Sequence, residues 1–152
     1  MDDHSTLWYL IHNDVVVTTF LGWFGAQTVK VAIGVIREKR FNFKWFVGTG
    51  GMPSSHVAGV TAMVTSVGLY EGVGTALFGV TLMFTIVVIC DAQGVRWSTG
   101  KQAEILNKIM DDIYWEKKIQ EDRLKELIGH TPMQVIAGMV VGFIVAFMLY
   151  WF

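Results

Sequence analysis

Residues 50–56 read Gly-Gly-Met-Pro-Ser-Ser-His, and no Asp, Glu, Lys or Arg follows until Glu71. A Gly-rich turn, a Pro that can open a helix, two hydroxyls and an imidazole thus stand at the lip of an apolar segment. A helix start presents unpaired N–H groups and the positive end of the helix dipole, a setting that suits phosphate. Ser54 and Ser55 add donors, and His56 adds a group that exchanges a proton near neutral pH. Matching chemistry recurs elsewhere in the chain. Lys30 and Arg37 are two turns apart on one helix face. Asp91 and Arg96 follow an apolar run, and His130, Thr131 and Pro132 precede another. Cations to offset charge, helix starts to cradle oxygens, and imidazoles to move a proton or attack are the parts of a phosphate site. Each residue also has a plainer use. Lys30 can snorkel, Ser54 can cap a helix, Pro132 can start one, and Asp91 can pair with Arg96. Lys39 and Arg40 read as topology signals. What the functional residues share is a common depth at one membrane boundary.

The elements that must hold them are membrane helices. The chain has 152 residues, 53% hydrophobic and 16% charged, which suits a single membrane domain rather than a soluble one. Residues 72–90 and 131–152 contain no Asp, Glu, Lys or Arg, and each run approaches the length that crosses a bilayer core. We expect an all-α integral membrane bundle with helices near 14–37, 54–70, 73–92 and 132–151 and a tight turn at Glu71-Gly72. Segment 93–130 mixes acidic and basic residues. Leu106, Ile109 and Ile113, and then Leu124, Leu127 and Ile128, keep helical spacing. That predicts an amphipathic pair against the membrane or a partner, punctuated by Gly100 and Gly129. Every Lys and Arg lies between Lys30 and Lys125. Four crossings place the 38–53 loop and the 93–130 segment on one side, which the positive-inside rule makes cytoplasmic. A net charge of −1 speaks against nucleic acid. Cys90 stands alone, which rules out a disulfide framework or thiolate metal cluster. The acidic start, with no Lys or Arg in 1–14, is the reverse of a signal peptide.

The same residues resemble the motifs of the type 2 phosphatidic acid phosphatase superfamily, which includes the vanadium haloperoxidases. Its first motif is Lys, six residues, Arg-Pro; here Lys30 and Arg37 match and Glu38 replaces the Pro. Its second is Pro-Ser-Gly-His; here Pro53-Ser54-Ser55-His56 has Ser for Gly. Its third is Ser-Arg, five residues, His, three residues, Asp. His130 matches, Gln134 stands at the Asp position, and Leu124, between Arg123 and Lys125, stands at the Arg position. The wording around Gly-Gly-Met-Pro-Ser-Ser-His, Asp91-Ala-Gln-Gly-Val-Arg96, Gln102-Ala103 with Leu106-Asn107, and Leu-Ile-Gly-His-Thr-Pro is more specific. It is similar to a divergent branch, the acid phosphatase/vanadium-dependent haloperoxidase-related family of small bacterial and plastid membrane proteins. The likeness runs from the first helix to the fourth.

The resemblance implies a metal-independent phosphatase with no cofactor, acting on a lipid phosphate or diphosphate at the cytoplasmic face of a bacterial cell membrane. By it, His130 is the nucleophile and forms a phosphohistidine, and His56 protonates the leaving alkoxide. Lys30, Arg37, Ser54, Ser55 and Arg96 hold the phosphoryl oxygens, with Arg96 preferred to Arg123 for the third-motif Arg. Gln134 can orient an imidazole but cannot stabilise an imidazolium, so Asp91 is the candidate carboxylate. In a serine protease triad the analogous amide costs about 10⁴ in rate. The alternative is a lipid-phosphate binder, carrier or assembly protein on a degraded phosphatase fold. A purely structural subunit docking through 97–128 is a third reading. Gly68, Gly72, Gly74 and Gly79 offer small surfaces, from which we expect a homodimer among membrane lipids.

Overall fold

The computed structural model describes residues 6–41, 51–113 and 130–152, with residues 6, 94–101 and 111–113 as backbone alone. A short helix α1 (Thr6–Ile11) precedes α2 (Asp14–Glu38). Then follow α3 (Ser55–Tyr70), α4 (Ala76–Cys90), a π-helical turn at Asp91–Val95, α5 (Arg96–Ile113) and α6 (Pro132–Trp151). It is an all-α membrane protein. Three helical stretches are long and apolar enough to cross a bilayer: Asp14–Glu38, Ala76–Gln93 and Pro132–Trp151. The expected crossing near 54–70 is shorter, at 16 residues, or about 24 Å. It runs through the middle of the others and packs on α2, α4 and α6.

Small residues make that packing possible. Between apolar helices in lipid there is no hydrophobic drive, so close van der Waals contact must hold the helices together. On α2, Thr18, Gly22, Ala26 and Lys30 recur every fourth residue and are all buried. On α3, Ser54, Ala58, Ala62 and Ser66 do the same, and on α6 so do Gly138, Gly142 and Ala146. Gly22 lies against Ala62 and Ala58. Stepping one turn at a time along the antiparallel pair then sets Thr18 beside Ser66, Ala26 beside Ala58 and Lys30 level with Ser54. Gly138 lies against Ser54 and Val57, and Gly142 against Ala58 and Thr61, so α6 runs parallel to α3. A methyl group at Gly142 would sit 2.5 Å from the Ala58 carbonyl oxygen, and one at Gly138 would sit 2.6 Å from that of Ser54. At the far end Tyr70 meets Tyr150 edge to face, with ring centroids 5.3 Å apart.

Helix α4 leans on α3 from outside. Its buried residues are Thr81 and Thr85, and Thr85 Oγ1 donates to the Val60 carbonyl at 3.1 Å. The turn before α4 is longer than expected: Gly72 takes φ +94, Thr75 caps the helix, and the helix starts at Ala76. The larger difference lies at its other end. Asp91 does not close the helix; its backbone stays helical and passes through the π turn into α5. Gly100, expected as a break, lies inside α5, because one Gly within a hydrogen-bonded helix weakens it without ending it. Leu106 and Ile109 of the predicted apolar stripe are exposed, while Ala103 and Asn107 are buried. The second predicted amphipathic helix, with Leu124, Leu127, Ile128 and Gly129, lies outside the described residues. Of the glycines expected to pack between copies, Gly68 packs against Phe78 of its own chain, while Gly74 and Gly79 have nothing within 4 Å.

Candidate functional site

The alternating directions of α2, α3, α4 and α6 bring Lys30, Ser54, Asp91 and His130 to one end of the bundle. Lys30 occupies the fourth rung of the small-residue ladder on α2, and it is turned inward, 7% exposed. Its Nζ donates to Gln27 Oε1 at 3.0 Å. The methylene stem lies over Gly51, where an added Cβ would stand 3.4 Å from Cγ and Cδ. Gly51 has φ +97, a conformation that favours glycine. Arg37, two turns further along α2, is exposed and is not part of this buried cluster, because the bundle no longer covers the helix there.

Ser54 is the N-cap of α3: the Val57 N–H donates to its Oγ at 3.4 Å. Its own N–H donates to the Gln134 carbonyl at 3.0 Å, which ties the start of α3 to α6. The opening Pro therefore does not begin the helix; Pro53 precedes the cap, after a cis Met52–Pro53 peptide bond. Ser54 and Ser55 are both buried. His56 is exposed. It lies one turn before Val60, on the face that meets α4, so the Thr85–Val60 bond sets it level with Ile89.

His130 is 3% exposed. Its backbone N–H donates to the Ala92 carbonyl at 3.2 Å, which fixes it beside the half-buried Asp91. Thr131 caps α6, Pro132 takes the first turn, and Thr131 with Gln134 forms a capping box. Gln134 Oε1 accepts from the Thr131 N–H at 3.1 Å and lies 3.1 Å from His130 Nδ1. A backbone N–H can only donate, so the amide oxygen faces both groups, and His130 Nδ1 must carry the proton. The lone pair is then on Nε2. Gln134 thus does by neutral hydrogen bond what a carboxylate does with charge: it selects the tautomer and aims the ring.

The structure therefore joins Lys30, Ser54, Ser55, His130 and the Asp91 backbone at one end, with His56 on the neighbouring face and Arg37 beyond the cluster. Arg96 opens α5 just past the π turn, described as backbone alone. Arg123, Leu124 and Lys125 lie outside the described residues. The sequence reading missed Gln27, although an amide one turn before a Lys within an apolar helix is a readable signal, since polar groups at membrane depth need partners. It gave Gln134 the role of orienting an imidazole but missed its capping role, although Thr131-x-x-Gln134 spells a capping box.

The model of the divergent PAP2 family matches residues 11–145, a span that takes in every residue of this cluster. An uncharacterized membrane protein of Bacillus subtilis (strain 168), YuiD, is 34% identical over 154 residues, covering 94% of this chain and 98% of that protein. No solved structure matches the chain. It is an integral membrane protein, and with the match extending over nearly all of its length, the chain belongs to the divergent PAP2 family.

Proposed function

We propose that this chain is a metal-independent membrane phosphohydrolase that cleaves a lipid phosphate or diphosphate at the cytoplasmic face, with His130 as nucleophile. The supporting observation is the hydrogen bond between His130 Nδ1 and Gln134 Oε1, 3.1 Å long, which puts the ring proton on Nδ1 and makes Nε2 the unprotonated nitrogen, the form a nucleophile requires. Nε2 bonds to phosphorus as the bond from phosphorus to the leaving lipid oxygen breaks, and His56 gives that oxygen its proton. Water then attacks the phosphohistidine and returns a proton to His56. The phosphorus–nitrogen bond breaks, and inorganic phosphate leaves. Lys30, Ser54 and Ser55 hold the phosphoryl oxygens, and the parallel starts of α3 and α6 add their positive dipole ends. Arg37 adds a further cation from beyond the cluster, and the resemblance assigns another to Arg96. Asp91 is the carboxylate placed to steady the imidazolium. Such chemistry depends mainly on positioning and charge. Helix α6, with 20 residues, spans about 30 Å, so a site at its start sits where a lipid headgroup meets the hydrocarbon.

Purified wild-type protein in detergent should release phosphate from a short-chain phosphatidate or a polyprenyl phosphate, and His130→Ala and His56→Ala should not. Wild-type rates in both variants would sink the assignment. The neutral amide on His130 favours a second reading, a lipid-phosphate binder or carrier. Specific lipid binding with neither phosphohistidine trapping nor vanadate inhibition selects it.

A further inference from the structure

Gln27 is 2% exposed, one turn before Lys30 on the same face of α2, in a stretch otherwise built of small and apolar side chains. Its Oε1 accepts from Lys30 Nζ at 3.0 Å. A lysine on a membrane helix ordinarily extends its stem toward the headgroups. Lys30 does not; its stem crosses Gly51 and its head stays inside the bundle. We propose that Gln27 is a positioning residue: a neutral acceptor that keeps the Lys30 ammonium inside the bundle, level with Ser54, without cancelling its charge. This rests on the reading of the site as one that takes a phosphate.

The residue type is what makes the case. An apolar side chain at 27 would remove a hydrogen-bond acceptor from a buried ammonium, which is costly in a low dielectric. A carboxylate would satisfy the ammonium but pair with it and repel an incoming dianion. A carboxamide satisfies one N–H without itself neutralising the ammonium.

The test compares wild type with Gln27→Met and Gln27→Glu in detergent micelles, using phosphate release from a short-chain phosphatidate and inhibition by vanadate. Gln27→Met should raise KM and weaken vanadate inhibition about tenfold, the worth of one hydrogen bond to a charged group, with kcat nearly unchanged. Gln27→Glu, nearly the same shape, should weaken both further. A merely structural Gln27 would tolerate the isosteric Glu best, which is the opposite order. If both variants keep wild-type KM and vanadate inhibition, Gln27 positions nothing and this proposal is overturned while the phosphohydrolase reading stands. If Gln27→Glu does not fold, an unchanged KM in Gln27→Met overturns it alone. A wild type that neither releases phosphate nor responds to vanadate overturns both.

Discussion

His130 and Gln134 show how one residue exchange can preserve geometry while removing charge. The amide oxygen bonds both the His130 ring and the Thr131 N–H, so it serves the site and the helix start together. Two substitutions separate these roles. Gln134→Glu keeps an acceptor and adds a negative charge directly at Nδ1. If His130 forms the phosphohistidine, kcat for phosphate release should rise about tenfold or more, since the reverse exchange in a serine protease triad costs about 10⁴. An unchanged or lower kcat in this variant would show that imidazolium charge does not limit the reaction. Gln134→Leu removes both bonds. It should lower kcat and also cost about 1 kcal/mol of stability through the lost cap, seen as a lower unfolding temperature in detergent. The place of His56 in Pro53-Ser54-Ser55-His56 was readable in the sequence, but its exposure was not. That depends on where α4 lies against α3.

At the scale of the element, the bundle rests on residues without side-chain bulk. The close approach of α6 to α3 at Gly142 leaves no room for a methyl, with Thr61 Cβ 2.8 Å and the Ala58 oxygen 2.5 Å from where it would stand. Gly142→Val should therefore destabilise the protein by about 1–3 kcal/mol, typical of overpacking. Gly79, with nothing within 4 Å, is the control, and Gly79→Ala should unfold at the wild-type temperature. Equal melting of the two variants would show that the seam does not hold the bundle. Sequence spacing located α2, α3, α4 and α6 to within a few residues, because long apolar runs bounded by caps have few other uses in water or lipid. It did not identify the seam. Gly22, Gly138 and Gly142 look no different in sequence from Gly74 and Gly79; only the packing of neighbours tells a contact glycine from an open one. The continuation of α4 through Asp91 into α5 was missed for a related reason, since a change from apolar to charged residues marks a membrane boundary but not a helix end.

For the whole molecule, the alternating helices put Lys30, Ser54 and His130 at one end and Tyr70 with Tyr150 at the other. The basic residues near Arg37–Arg40 predict that the first end faces the cytoplasm. Because the chain has one Cys, replacing Cys90 by Ser gives a clean background. In it, Glu71→Cys should react with a membrane-impermeant thiol reagent on intact cells and Lys39→Cys only after lysis. The opposite pattern would place the site on the outer face.

Composition and apolar runs by themselves determined that this is a helical membrane protein, and residue types with their spacing determined which groups can meet a phosphate. Both are local properties: a bilayer demands long apolar helices wherever they occur, and a motif is spelled within a few residues. The tertiary structure decided that Lys30 turns inward, that Arg37 lies outside the cluster and that His56 is exposed. These depend on which helices touch and at what register, and that is settled by small residues meeting across the seam, far apart in the chain.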